Sequence, residues 1–227
     1  MELFASTVIY EEGDKLTIYD KTQGSQNSQQ YVSAIFGLSD VRVVNAYIGG
    51  AFGSGLRPRY QLFLAVMASL SLKRSVRVEV ARREMFYLSY RPITSQKLSL
   101  GADRDGKLLA IKHHALQGTS KFEDYQEVVV NWSGLLYHCD NVELTYKLAK
   151  LDTYTPADMR APGAPTGLFA MESAMDELAH DLRVDPLALR LRNYADTDEN
   201  TDKYFTSKEL RAAYQLGAER FGWAKRS

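Results

Sequence analysis

A chain of 227 residues is long enough for one large domain or two small ones. Its 28 Lys and Arg are matched by 28 Asp and Glu, so it carries no electrostatic footprint for nucleic acid or for an anionic membrane. No apolar run approaches the ~20 residues of a membrane span, no basic stretch followed by an apolar core opens the sequence, and the single cysteine, Cys139, excludes an internal disulfide and a four-thiolate iron–sulfur site.

Residues 8–10 and 15–19 alternate apolar and polar on either side of Glu11-Glu12-Gly13-Asp14, which predicts a β-hairpin. Residues 22–28 are polar and read as a loop around Gly24. Residues 29–36 read as a short helix with Val32, Ile35 and Phe36 on one face. A β-branched strand over residues 41–46 runs into the glycine-rich turn Gly49-Gly50-Ala51-Phe52-Gly53-Ser54-Gly55. A buried helix follows over residues 58–72, with Leu62, Phe63, Val66, Met67 and Leu70 at helical spacing and Pro58 in the first turn.

Residues 76–80 form a strand. Residues 97–102 and 107–115 pair around Asp103-Arg104-Asp105-Gly106, a strong hairpin signal, and residues 142–151 form a further strand. A stiff loop, residues 158–165, then precedes an amphipathic helix over 168–182. Asp185-Pro186 caps another helix to about Tyr194. Residues 196–206 are polar and loop-like, and Ser207 caps a last helix that ends near Gly222. Helices are interspersed with strands, but hairpins dominate the middle, so the fold class is α+β. No linker interrupts the chain, which is read as one unit, residues 1–227.

Two loops carry the chemistry. A strand, glycines and a helix in succession place backbone N–H groups around an anion or an oxo group, and small residues let a cofactor approach the backbone. A dinucleotide fingerprint fails on spacing, because the required glycines fall on Phe52 or Pro58; a triphosphate loop fails because Leu56, not Lys, follows Gly55. A ligand-free strained turn explains the glycines alone equally well. In the second loop, Pro162, Gly163 and Pro165 fix an awkward backbone beside Arg160, which suits either presentation of the guanidinium or a structural ion pair. His113 and His114 alternate on one strand and point to opposite faces, so they do not share a metal. His138 and His180 are scattered. Glu172, Asp176, Glu177 and Asp181 recur on one helix and read as a solvated face.

Three motifs together resemble the molybdopterin-binding subunit of the xanthine dehydrogenase/aldehyde oxidase family. Thr22-Gln23-Gly24 is similar to the family's Thr-Gln loop, whose glutamine hydrogen-bonds the molybdenum centre. Gly49-Gly50-Ala51-Phe52-Gly53 is similar to its Gly-Gly-Gly-Phe-Gly turn, whose Phe-Gly backbone packs against that centre. Met159-Arg160-Ala161-Pro162-Gly163 is similar to its arginine loop beside metal and pterin. The order and separation of the motifs match the family, and the resemblance runs over essentially the whole chain. The resemblance implies cofactor-binding roles for Gln23, Gly49, Gly50, Phe52, Gly53 and Arg160, with the metal held by the pterin and not by side chains.

The stretches from Phe52 to Pro58 and from Phe122 to Leu136 resemble the bacterial aldehyde-oxidising branch. Purine hydroxylases carry a glutamate where Leu56 stands here, and an arginine near Gly134. The resemblance implies an aldehyde oxidoreductase that hydroxylates small aldehydes to carboxylic acids with water as the oxygen source. It implies a molybdenum–pterin cofactor, with or without a cytosine nucleotide, and iron–sulfur and FAD subunits as electron-transfer partners. Nucleic acid and membrane are not among the expected partners. The chain is expected in the cytoplasm, or in the periplasm if exported with a partner subunit.

The sequence also departs from the family. Met1-Glu2-Leu3-Phe4-Ala5 lacks the Pro and His of a similar Met-Glu-Pro-His-Ala segment. The loop at Ser39-Asp40 is shorter. Ala51 replaces the third glycine and is expected to put a methyl group in the cofactor's path. No residue matches the family's catalytic glutamate, since Gly217-Ala218-Glu219 lies on a helix surface. No catalytic residue is therefore assigned. The chain reads as part of the molybdenum domain, without the amino-terminal substrate-lining domain and the glutamate region. A second polypeptide carrying the rest, or a non-catalytic remnant or assembly module from a truncated or split gene, are the two ways to complete that picture.

Overall fold

The computed structural model describes residues 1–198 and 201–226. The chain divides into two compact units: Met1–Ile93, Gly118–Glu127 and Leu148–Pro162 form the first, and Thr94–Gln117, Val128–Lys147 and Gly163–Ser227 the second.

The first unit begins with the expected hairpin, β1 (Ala5–Tyr10) and β2 (Leu16–Asp20), paired antiparallel with Val8 opposite Ile18. Helix α1 (Ser25–Phe36) crosses to β3 (Val41–Val44), which lies parallel to β2, as such a pair requires. Helix α2 (Tyr60–Leu72), strand β4 (Val76–Glu79) and helix α3 (Arg82–Leu88) follow, and the sheet order is β3-β2-β1-β4. Alternate residues Val8, Leu16, Ile18 and Val41 pack on Val32 of α1 and on Leu62, Ala65 and Val66 of α2. This core fixes the ends of β2 and β3, from which the first two motif loops spring.

Several expectations need correction. Helix α1 starts at Ser25, not 29, because Ser28 already donates to the Gly24 carbonyl (3.0 Å) and Thr22 caps the preceding turn. Val32 and Phe36 pack inward, but Ile35 is 58% exposed, so the expected apolar face is narrower. Helix α2 starts at Tyr60, two residues after Pro58, and its buried face includes Gln61 and Ser69 while Met67 points out. Helix α3 was not expected. Only Met85 is buried in it, so no apolar period announces it.

The second unit holds β5 (Thr94–Ala102), α4 (Ser133–Leu136) and the greater part of β6 (Leu108–Ser120) and β7 (Val142–Leu151), with strand order β5-β6-β7. Next come α5 (Ala164–Leu182), α6 (Pro186–Arg192), the short pair β8 (Thr197–Asp198) and β9 (Lys203–Tyr204), and α7 (Leu210–Phe221). The Asp103 carboxylate accepts from the amides of Asp105 (3.0 Å) and Lys107 (2.9 Å), which closes the predicted hairpin turn. The core joins Leu108 and Ile111 of β6 to Met171, Met175 and Ala179 of α5 and Leu189 of α6. Asn193 donates to the Gly106 carbonyl (2.8 Å) and accepts from the Leu108 amide (2.8 Å), which ties the hairpin to the end of α6.

Here α5 starts at Ala164, four residues before the expected start, with Pro165 in its first turn. Part of the expected loop over residues 196–206 is the β8–β9 pair; Glu199 and Asn200 lie outside the described residues. Ser207 is not a cap: Glu209 occupies the N-cap position of α7 without a side-chain hydrogen bond. The acidic run on α5 is only half solvated. Glu172 accepts from Tyr137 (2.7 Å) and Arg190 (2.7 Å), and Asp176 accepts from Arg190 (2.7 Å). His113 is a buried structural histidine between Ser133 (2.8 Å) and Gln96 (3.0 Å), whereas His114 faces the other side. No helix among the described residues is long and apolar enough to cross a membrane.

Candidate cofactor-binding site

The first motif loop is shaped by Thr22. This residue is buried, its hydroxyl accepts from the Gly24 amide (3.1 Å) and from Ser28 (3.2 Å), and its carbonyl accepts from the Asn45 side chain. Gln23 follows as the exposed residue at the tip. Its amide donates to the Gly55 carbonyl at 2.7 Å, which brings the first loop against the second.

The glycine turn has left-handed backbone at Gly49, Phe52 and Gly53, with φ of 59°, 50° and 85°. Left-handed Phe52 is strained for a residue with a side chain, and its ring is 52% exposed, so packing of the ring does not explain the strain. The neighbouring contacts do. A Cβ on Gly53 would stand 2.8 Å from the Met159 carbonyl carbon and 2.9 Å from the Arg160 nitrogen, so the second loop lies backbone to backbone on the third. Ser54 anchors the turn from beneath. It donates to the Ala51 carbonyl (2.6 Å), and its own oxygens accept from Lys21 (3.1 Å) and Arg59 (2.7 Å). Ala51 is buried, with its methyl 3.7 Å from where a Gly55 side chain would begin. The methyl is thus packed inside the turn.

The third loop is clamped on both sides of Met159. The Asp158 carboxylate accepts from Arg57 Nε (2.7 Å) and from the Tyr125 hydroxyl (3.1 Å). The Arg160 carbonyl accepts from Arg91 (2.7 Å), and Ala161 takes a left-handed φ of 51°. The Arg160 guanidinium is exposed and makes no ion pair or hydrogen bond among the described residues, so the structural ion pair weighed for it is absent there.

The three loops therefore meet. Gln23 touches the second through its backbone, and Gly53 touches the third. The Gln23 side chain, the Phe52 and Gly53 amides and the Arg160 guanidinium, all carried by these loops, have no partner among the described residues. Gly49 and Gly50 lie at the other end of the turn, against Glu2, whose amide donates to the Gly50 carbonyl at 3.1 Å. Arg57 is half-exposed, whereas Arg59 turns inward: its Nη2 is buried, and burial lowers its pKa. Phe4, where the family segment has His, is buried and carries Lys21 (5.0 Å) and Arg59 (5.9 Å) over its ring. Burial and the nearby Arg59 also lower the Lys21 pKa. The junction thus offers donors and positive charge with no thiolate or imidazole. That suits an anionic, oxygen-rich group whose metal is held by its own ligand. Sequence reasoning missed Arg91 altogether, and missed that Tyr125 and Glu127, within the stretch from Phe122 to Leu136, hold the third loop from a distance.

Residues 1–194 match the model of the molybdopterin cofactor-binding domain. The chain belongs to this family. Over 231 aligned residues it is 34% identical to the aldehyde oxidoreductase molybdenum-binding subunit PaoC of Escherichia coli strain K12, covering 100% of this chain and 31% of that protein. It is 28% identical over 236 residues to the putative xanthine dehydrogenase molybdenum-binding subunit XdhA of the same organism, again covering 100% of this chain and 31% of that protein. The aldehyde oxidoreductase of Desulfovibrio gigas shares the fold, with a TM-score of 0.86 at 23% identity over 98% of this chain and 26% of that one. The chain spans 31% of the length of the two curated relatives, and its α+β fold is that of the molybdenum-binding part of such enzymes.

Proposed function

We propose that residues 1–227 are the molybdenum-cofactor-binding portion of an aldehyde oxidoreductase that hydroxylates small aldehydes to carboxylic acids with water as oxygen source. The observation that carries this reading is the junction of three loops bearing the unpaired donors of Gln23, Phe52, Gly53 and Arg160. When bound, the molybdenum–pterin group supplies two-electron redox chemistry. The chain's own part is to bind and orient it. Gln23 and the Phe52–Gly53 amides donate hydrogen bonds and Arg160 offsets negative charge, while Gly49 and Gly50, packed against Glu2, shape the turn. Leu56 stands where purine hydroxylases carry a glutamate, which favours an aldehyde over a purine. Separate iron–sulfur and FAD subunits are the expected electron-transfer partners, and a further stretch of polypeptide is expected to supply the general base.

The test is twofold. Molybdenum and pterin are measured in the chain purified from a host that makes the cofactor, and released cytidine monophosphate reports the nucleotide form. Turnover is then assayed with an aromatic aldehyde and an artificial electron acceptor. Cofactor is expected at a level that falls in Gln23→Ala and Arg160→Met. Turnover is expected to be absent, because loss of a general base alone costs roughly 10²–10⁴-fold. Full turnover would refute the assignment of the base to another stretch. Cofactor content unaffected by both variants would refute the site, and would leave the reading as a non-catalytic assembly module.

A further inference from the structure

Arg160 projects from a loop of irregular backbone, yet its guanidinium has nothing of the protein to hold it among the described residues. Its direction must therefore be set from behind, through the main chain. Two groups act there. Arg91 donates from Nη2 to the Arg160 carbonyl at 2.7 Å and from Nη1 to Glu127 at 3.1 Å and 3.4 Å. The Glu127 side chain is fully buried, and that of Arg91 is 29% exposed. The planar fork of an arginine serves both acceptors at once, whereas a lysine ammonium at the end of a flexible stem does not hold the same two positions. The carbonyl that Arg91 grips belongs to the peptide leading into Ala161, whose φ of 51° is one that an L residue adopts only when its surroundings enforce it. Arg91 and Glu127 lie 36 residues apart and far in sequence from Arg160, and neither lies in the three loop motifs.

We propose that the Arg91–Glu127 pair is a positioning device that fixes the main chain at Arg160–Ala161 and so aims the Arg160 guanidinium at the bound cofactor. The inference rests on the cofactor site proposed above. Arg91 does not touch the cofactor in this scheme and acts only through Arg160. A buried ion pair is weak evidence for stability by itself, because burying the two charges offsets much of their attraction. What the pair orients is the better account of its place here. Glu127 keeps Arg91 in place, and Arg91 keeps the loop in its left-handed turn.

The test uses the full chain with Arg91→Lys, Glu127→Gln, Arg160→Met and the double variant Arg91→Lys/Arg160→Met. Amide hydrogen exchange at residues 159–162 is read against the amides of β1 and α2. Loss of one charge-assisted hydrogen bond is expected to speed exchange at residues 159–162 roughly tenfold, with the core unchanged. Bound molybdenum per chain is expected to fall in Arg91→Lys by nearly as much as in Arg160→Met, and the double variant to fall no further, since the two residues act through one contact. A merely structural pair would lower the melting temperature and add its loss of cofactor to that of Arg160→Met. Unchanged exchange at residues 159–162 in Arg91→Lys, or additive losses in the double variant, would overturn the positioning role. Should Arg160→Met itself leave cofactor content unchanged, the cofactor site fails instead, and the exchange data still decide whether Arg91 fixes the loop.

Discussion

The residue that best displays how the site is built is Gly53. Its φ of 85° and the approach of the Met159 carbonyl carbon to 2.8 Å act together, so a side chain there meets both a backbone penalty and rigid main chain. Gly13 has a similar φ of 73° in the β1–β2 turn, but nothing stands within 4 Å of its added Cβ. Gly13→Ala is therefore expected to cost only the left-handed penalty, about 1 kcal/mol. Gly53→Ala should add an overpacking cost of about 1–3 kcal/mol and separate the second loop from the third. Urea unfolding of the two variants measures the difference; equal losses would mean that the loop contact is not close-packed. Gln23 and Arg160 behave oppositely, because both are exposed and unpaired among the described residues. Their substitution should leave stability within about 0.5 kcal/mol while lowering cofactor content.

Among the elements, β6 makes a pH-sensitive contribution. Its His113 is fully buried between Gln96 of β5 and Ser133 of α4, and burial, with a smaller effect of neighbouring His114, lowers its pKa from 6.5 to about 4. The folded state thus binds fewer protons than the unfolded state between those two values. Stability from this group is complete above 6.5 and is lost as pH falls toward 4, by roughly 3 kcal/mol in all. Denaturant unfolding of the wild type at pH 7 and at pH 4.5, set beside His113→Gln, isolates the effect. The variant should be less stable at pH 7 and should show a shallower loss over this window; parallel losses would assign the acid sensitivity elsewhere. At the N-cap of α6, by contrast, Asp185 opposes its own desolvation with hydrogen bonds from Ala188, Trp223 and Arg226, and its pKa lies below the ordinary carboxylate value.

At the scale of the whole molecule, both units leave large apolar side chains in water. In the first, Tyr47 is 94% and Phe122 83% exposed; in the second, Tyr204 is 82% and Phe169 77% exposed. Single exposed hydrophobes are ordinary, but so many large ones favour association. The isolated chain is expected to form oligomers in sedimentation velocity at micromolar concentration, with a weight-average mass that rises with concentration. A monomer of constant mass would show that these side chains are tolerated as they stand.

What the sequence determined by itself was local or motif-borne. Period-two alternation and an Asp-Gly turn identified both hairpins, β7 matched its predicted bounds from residue 142 to 151, and the ordered trio of loops led to the family. Helix starts at Ser25 and Ala164 were missed because polar and proline-containing first turns read as loop, and α3 was missed because it buries a single side chain. Only the tertiary structure decided that Gln23, Gly53 and Arg160 belong to one junction, that the Ala51 methyl is turned inward, and that Arg91, Glu127 and Tyr125 hold the third loop. Those facts come from backbone approaches and buried pairings between segments far apart in the chain. Such contacts are selected by how the core closes, and they leave no period or spacing in the sequence to be read beforehand.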